Sequence, residues 1–254
     1  MNNLIANVKS LEIETLKNLK NSKANNTLRA YQSDFKDFSA FCIKNGFASL
    51  PTQPKIIALY LTNLSKLAKF STLKRRIASI SVIHKLKGHY LDIKHPIIME
   101  NLHGIKRTLG SRQKAKKPIL INDLKLIIKV IDKKKLRDKA LILIGFAGGF
   151  RRSELVNIHN EDVEFVPEGV KILIRRSKTD QSGEGIIKAI PYFENQEFCP
   201  VIALKNYLNS NFNDKNENRI FKISDKSVAL IIKRYAKRAG LESSRYAGHS
   251  LRSG

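Results

Sequence analysis

The sequence predicts a mainly α-helical protein in two parts, the second of which also holds a small β-hairpin. Three observations lead there. Up to about residue 103, apolar side chains recur at spacings of three and four, the period of a helix with one buried face. Around residues 169–192 the spacing shortens to two, the period of a strand. Between these regions lies a basic segment containing glycine and ending in proline, which reads as a boundary.

In the first part, Leu28, Tyr31, Phe35, Phe38 and Cys42 line one face of an amphipathic helix, with Asn26 as N-cap and Gly46 as stop. A second helix follows Pro54 and turns Ile56, Ile57, Leu59, Tyr60 and Leu64 inward. Ser71 is expected to cap a third, which buries Leu73, Ile77, Ile80, Ile83 and Leu86 and stops at Gly88. A plain helical bundle with a solvated basic face explains this periodicity equally well, so the first part by itself reads only as helical and basic. Gly104 to Pro118 carries six Lys or Arg and no acid, and is expected to be an extended linker lying on phosphates. The domains are accordingly placed at 1–106 and 119–254, with a linker over 107–118. In the second part, helices are expected at 122–130, 136–146, 152–158 and 227–239, with a hairpin formed by 169–178 and 186–192.

Charge narrows the function. With 47 Lys+Arg against 22 Asp+Glu, the 254 residues carry +25, divided as +12 before residue 111 and +13 after it. So large a positive charge repels itself unless a polyanion neutralises it, and nucleic acid is the first candidate. A membrane surface is the weaker one: the apolar stretch Ala140 to Phe150 has 11 residues and three glycines, where a spanning helix needs about 20. The N-terminal residues lack signal-peptide character, so a cytoplasmic, DNA-associated location is expected. Cys42 and Cys199 read as reduced and buried, and no histidine pair has metal-ligand spacing. Neither a metal nor another cofactor is expected.

Three short stretches carry candidate chemistry. In Gly149-Phe150-Arg151-Arg152-Ser153-Glu154-Leu155, an apolar helix ends in a glycine pair and Arg151 opens the next helix, where free N–H groups favour an anion. Glu154, three residues on, shares its face and orients the guanidinium. In Gly248-His249-Ser250-Leu251-Arg252, His249 and Arg252 point the same way if the segment is helical, offering a phosphate clamp and a proton-competent donor. Lys178, on the lip of the hairpin turn, is placed to protonate a leaving oxygen. Each stretch alone is also compatible with an ordinary surface salt bridge, turn or loop.

Taken in order, and together with Thr27-Leu28-Arg29-Ala30-Tyr31, Asp34 and Phe38, these motifs resemble the tyrosine recombinase (phage integrase) family. The resemblance implies an N-terminal helical, SAM-like core-binding domain followed by a mixed α+β catalytic domain. It implies catalytic roles for Arg151, Lys178, His249 and Arg252, with Glu154 in support. The arginines and histidine would stabilise charge on a scissile DNA phosphate. The lysine would protonate the departing 5′ oxygen, and a tyrosine would attack to form a 3′-phosphotyrosyl link. Arg151 is assigned over Arg152, where the family varies.

Double-stranded DNA is then the expected partner. Its phosphates are assigned to Arg29, Lys74, Arg75 and Arg76 in the helical part and to Lys106, Arg107, Arg112, Lys114, Lys116 and Lys117 in and beside the linker. The family pattern also expects its tyrosine beyond the second arginine, where this sequence continues only with Ser253 and Gly254. Tyr235 and Tyr246 both precede the motif and match no family position. The expectation is therefore a recombinase fragment incomplete at its C-terminus, lacking the nucleophile, binding DNA but inactive alone. The alternative is a non-catalytic regulator or competitor at recombination sites. In either case a full-length recombinase or a second copy on DNA is a possible partner.

Overall fold

The structure, a computed structural model, describes residues 10–11, 13–14, 18, 25–110, 116–175, 184–210 and 218–252. It divides into two compact units, Met1–Gln113 and Lys114–Gly254.

The first unit contains helices α1 (Asn25–Lys44), α2 (Pro54–Ser65), α3 (Phe70–Leu86) and α4 (Pro96–Leu109). Phe38, Cys42, Ile57, Tyr60, Leu61, Leu73, Ile80 and Ile98 form its core, each at most 2% exposed. The rings of Phe38 and Tyr60 meet edge to face at 5.1 Å. α2 and α4 both start with a proline, which has no N–H to leave unpaired in a first turn. α1 and α3 are joined by the buried carboxylate of Asp34. It accepts from Ser79 Oγ at 2.7 Å and from the guanidinium of Arg75, while Arg76 donates to the Asp34 carbonyl at 3.1 Å.

Several expectations need correction here. α1 already includes Asn25, so Asn26 is helical and not a cap, and α3 begins at Phe70 after Lys69, ahead of Ser71. Leu59 and Leu86 are 43% and 57% exposed; with 3.6 residues per turn each falls on the far side of its helix from the buried residues. α4 extends through Leu109, so residues 104–109 of the segment expected to be extended are helical. Gly104 leaves that helix unbroken, since one glycine in a helix interior costs only about 1 kcal/mol.

The second unit contains α5 (Ile121–Lys129), α6 (Leu136–Ala147), α7 (Arg152–Leu155), β1 (Val163–Val166), β2 (Gly169–Ile174), β3 (Ile186–Pro191), α8 (Pro200–Ser210) and α9 (Asp225–Arg238). A 3₁₀ turn, Gly248–Leu251, follows. α6 is buried along its length from Ala140 to Gly145 and packs against α8. The expected hairpin is present as β2 and β3, and β1 adds a third antiparallel strand in the order β1-β2-β3. Val170, Ile172 and Ile174 face the core at 1%, 0% and 4% exposure. Opposite residues of an antiparallel pair share a face, so Ile172's partner in β3, Lys188, is also directed inward. Ser224 caps α9 by accepting from the Ser227 N–H at 3.1 Å.

One buried group makes the first unit sensitive to pH. His84 is fully buried; its Nε2 accepts the Thr52 N–H at 3.2 Å and its Nδ1 lies 2.8 Å from the Ile80 carbonyl. Burial lowers its pKa, and His89 adds to the effect against the pull of the Ile80 carbonyl. The unfolded chain therefore takes up a proton below about pH 6.5 that the folded unit refuses. This contribution is complete above that pH and is lost as pH falls. Urea unfolding of the whole chain at pH 7.5 and 5.5, read by hydrogen exchange in α1 and α3, should show a loss of stability on acidification that is smaller in His84→Gln. Equal losses in the two proteins would refute the assignment.

Candidate functional site

The site is built around the turn between α6 and α7. Gly149 adopts φ +56°, a left-handed conformation that a side chain disfavours. The chain can thus reverse while Phe150 goes fully into the core, its N–H donating to the Gly145 carbonyl at 3.0 Å. Arg151 then stands as N-cap of α7. Its N–H donates to Glu154 Oε2 at 2.8 Å and its guanidinium to Oε1 at 2.6 Å. One buried carboxylate therefore holds both ends of the arginine, leaving a partly exposed guanidinium in a fixed orientation.

The second motif is fastened to the first. Leu251 is 1% exposed and packs on Gly145, which Leu155 also meets. The side chain of Arg152 crosses Gly248 so closely that a Cβ there would lie 1.8 Å from Arg152 Cδ. The doubled arginine is thus divided in function: Arg151 is held by Glu154, and Arg152 packs across the second motif. His249 and Arg252 are exposed beside this contact.

The second motif has its own support. Tyr246 donates from its hydroxyl to Asp123 Oδ2 at 3.0 Å, and Lys117 Nζ donates to the same oxygen at 2.9 Å. Burial opposes the charge of Asp123, but these two bonds and the backbone of Leu120 prevail and hold its pKa below the usual carboxylate range. The Lys117 N–H donates to the Arg245 carbonyl at 2.7 Å and that of Ile119 to the Ser250 carbonyl at 3.0 Å. The segment at 116–119 is in this way tied along the 245–250 loop.

A residue that sequence reasoning missed closes the group. Lys188 Nζ donates to the carbonyl of Gly148 and, at 3.3 Å, to that of Gly149, and it sits 4.8 Å from the centre of the Phe150 ring. Burial lowers its pKa, Glu154 opposes the shift, and Arg252 and Arg151 reinforce it. The signal available in the sequence was its place between Ile186 and Ile190 in an alternating strand, an inward position for a lysine. The structure thus places Lys188 within electrostatic reach of Arg151, Arg252 and Glu154. Three cations and one carboxylate make this a place for an anion.

The other expected residues are distributed as follows. Arg29, Lys74, Lys106 and Arg107 are exposed on α1, α3 and α4. Arg75 pairs with Asp34; Arg76 is 3.3 Å from Asp34 Oδ1 and 3.4 Å from Asp37 Oδ2, so these two also serve the fold. Lys116 is exposed and donates to the Ser244 carbonyl at 2.7 Å, while Lys117 is committed to Asp123. Lys178, Arg112 and Lys114 lie outside the described residues. Cys42 and Cys199 are free thiols and buried. No cluster with the makings of a metal site occurs among the described residues. Nor is any described helix long and apolar enough to cross a membrane.

The sequence model of the phage integrase family matches residues 117–254. An integrase/recombinase xerD homolog of Selenomonas ruminantium is 41% identical over 268 residues, covering 98% of this chain and 78% of that protein. A lambda integrase dimer bound to a COC′ core site superposes with a TM-score of 0.58 at 18% identity, over 96% of this chain and 82% of that one. The XerH site-specific recombinase in a post-cleavage complex with a palindromic difH substrate gives 0.65 at 16% identity, over 88% of this chain and 66% of the other. At such identities the two structures establish the fold.

The crossing of Arg152 over Gly248 can be tested. Gly248→Ala should destabilise the chain by about 1–3 kcal/mol, the usual cost of forcing an added methyl into a packed contact. Arg152→Ala in the same chain should recover most of that loss, because it removes the obstructing side chain. Thermal unfolding of the two single variants and the double variant measures this coupling. Additive losses would show that the contact is not the cause.

Proposed function

This chain belongs to the phage integrase family of tyrosine recombinases, and from that membership we propose that it takes hold of a DNA phosphate through Arg151 and Arg252 in site-specific recombination. The carrying observation is that the two arginine motifs, about a hundred residues apart in sequence, pack on each other through Arg152 and Gly248, with Leu251 and Leu155 both lying against Gly145. A guanidinium fixed by Glu154 and a second on the adjoining turn form a preorganised pair of donors. Such donors lower a barrier most where charge develops in the transition state, here on the non-bridging oxygens of the phosphoryl group. His249 adds a donor to the same oxygens. Lys178 gives a proton to the departing 5′ oxygen while a tyrosine oxygen forms the new bond to phosphorus. The phosphoester is exchanged and not hydrolysed, so the broken strand can be rejoined without an energy source.

Neither Tyr235 nor Tyr246 is this nucleophile. Both are buried, and their hydroxyls donate to Asp138 and Asp123 at 2.9 and 3.0 Å. Residues 1–254 by themselves bind and position the phosphate without cleaving it. The exposed Arg29, Lys74, Lys106, Arg107 and Lys116 supply further phosphate contacts, which set position and affinity without reading bases.

Arg151→Ala and Arg252→Ala should each weaken binding of the whole chain to duplex DNA by about tenfold or more, a charge-assisted contact apiece. Each should also lower the steepness of the salt dependence by about one phosphate. Titrations at several salt concentrations measure both quantities. Unchanged affinity in both variants would overturn the site assignment. A covalent adduct formed by the 254 residues on nicked duplex DNA would overturn the claim that they do not cleave.

A further inference from the structure

We infer that Lys188 is a positioning residue of the phosphate site: it fixes the turn from which Arg151 departs and supplies a third positive charge behind it. The inference rests on the reading that Arg151 and Arg252 take a DNA phosphate. Three features of the structure carry it. The register of β2 and β3 pairs Lys188 with the fully buried Ile172, so the lysine occupies a core-facing position where an isoleucine would be ordinary. Its ammonium group bonds to the carbonyls of Gly148 and Gly149, the two residues that form the turn before Phe150 and Arg151. The face of the Phe150 ring also meets it, at 4.8 Å.

A lysine is costly at such a position, and a purely structural need has cheaper solutions. The carbonyls at the end of α6 could bond to water or to a neutral donor. The buried face of β3 would pack better with another apolar residue, as at Ile190. What an apolar residue does not provide is a charge near both arginines. Glu154 alone is a single negative charge among Arg151, Arg252 and Lys188, so the cluster carries a net +2 with those three bases charged. Without a bound anion the three cations repel one another. With a phosphate between the guanidinium groups, each contributes attraction, and Lys188 contributes it from a position that needs no rearrangement on binding. The sheet and the two arginine motifs are thereby connected through one side chain.

The test uses the whole chain and duplex DNA as probe. Lys188→Arg keeps charge and donor, Lys188→Gln keeps a donor without charge, and Lys188→Met removes both. Affinity should fall in that order, with Lys188→Arg within about threefold of the parent and Lys188→Met weaker by about tenfold. In a chain already bearing Arg151→Ala, the loss from Lys188→Met should shrink to less than about threefold, because the part that acts through that arginine is gone and only the direct attraction of the more distant ammonium remains. A lysine that only supported the fold would lower thermal stability, and its removal would cost the same affinity with or without Arg151. If Lys188→Met does not fold, Lys188→Gln carries the comparison. Parental affinity in Lys188→Gln, or undiminished loss in the Arg151→Ala background, would overturn the inference. Should Arg151→Ala and Arg252→Ala also bind as the parent does, the underlying reading of the site fails as well; if they weaken binding while the Lys188 variants do not, only the role of Lys188 fails.

Discussion

The two bonds from Arg151 to the Glu154 carboxylate are the constraint on which the site is built. A buried ion pair is a poor source of stability, because desolvating both charges offsets most of their attraction. What it provides is geometry. Glu154 closes the N-terminus of α7 by accepting the Arg151 N–H, and the same carboxylate fixes where the guanidinium can go. The helix is a single turn of four residues, too short to be stable alone. It persists because Phe150 on one side and Leu155 on the other are anchored in the core. The carboxylate and the two apolar anchors together define the position of one arginine.

The second arginine is placed by a different route. The 3₁₀ turn that carries it has few internal hydrogen bonds, so its position comes from outside. Leu251 holds it to α6, Arg152 crosses it from α7, and Tyr246, Asp123 and Lys117 hold the loop that leads into it. In this unit, two buried tyrosines serve as struts. Tyr235 braces α9 against α6 through Asp138, and burial together with that carboxylate raises its pKa. Neither phenol is available to leave its carboxylate without exposing a buried charge.

Much of this was legible in the sequence because it depends on local pattern. The face of α1, the presence of α5, α6 and α9, and the β2 and β3 hairpin followed from apolar spacing, and the Arg151 and Glu154 pair followed from a three-residue separation. What was not legible depends on how much surface a neighbour covers or on pairing at long range. α8 has Val201, Leu204 and Tyr207 at helical spacing, but the run is short and follows an irregular segment, so the period is hard to separate from chance. β1 is four residues long, with none of them fully buried, and it has little alternation to detect. Lys188 illustrates the limit most clearly. Its inward orientation is set by register with β2, and its partners are carbonyls of a turn some forty residues earlier, for which no spacing rule exists.

The distribution of acids shows how a chain of such high positive charge becomes ordered. Among the described residues, five carboxylates are buried: Asp34, Asp123, Asp138, Glu154 and Asp162. Each is paired with a base, respectively Arg75 and Arg76, Lys117, Arg137, Arg151 and Arg175. In every case the acid is buried and at least one of its bases is partly exposed, so the carboxylate restrains the direction of a cation without taking it out of reach of solvent. Acids beneath the surface set the direction of the bases above them. The net charge of the chain is +25. Part of it is aimed, and Arg151 over Glu154 is the instance in which the aim converges with a second arginine.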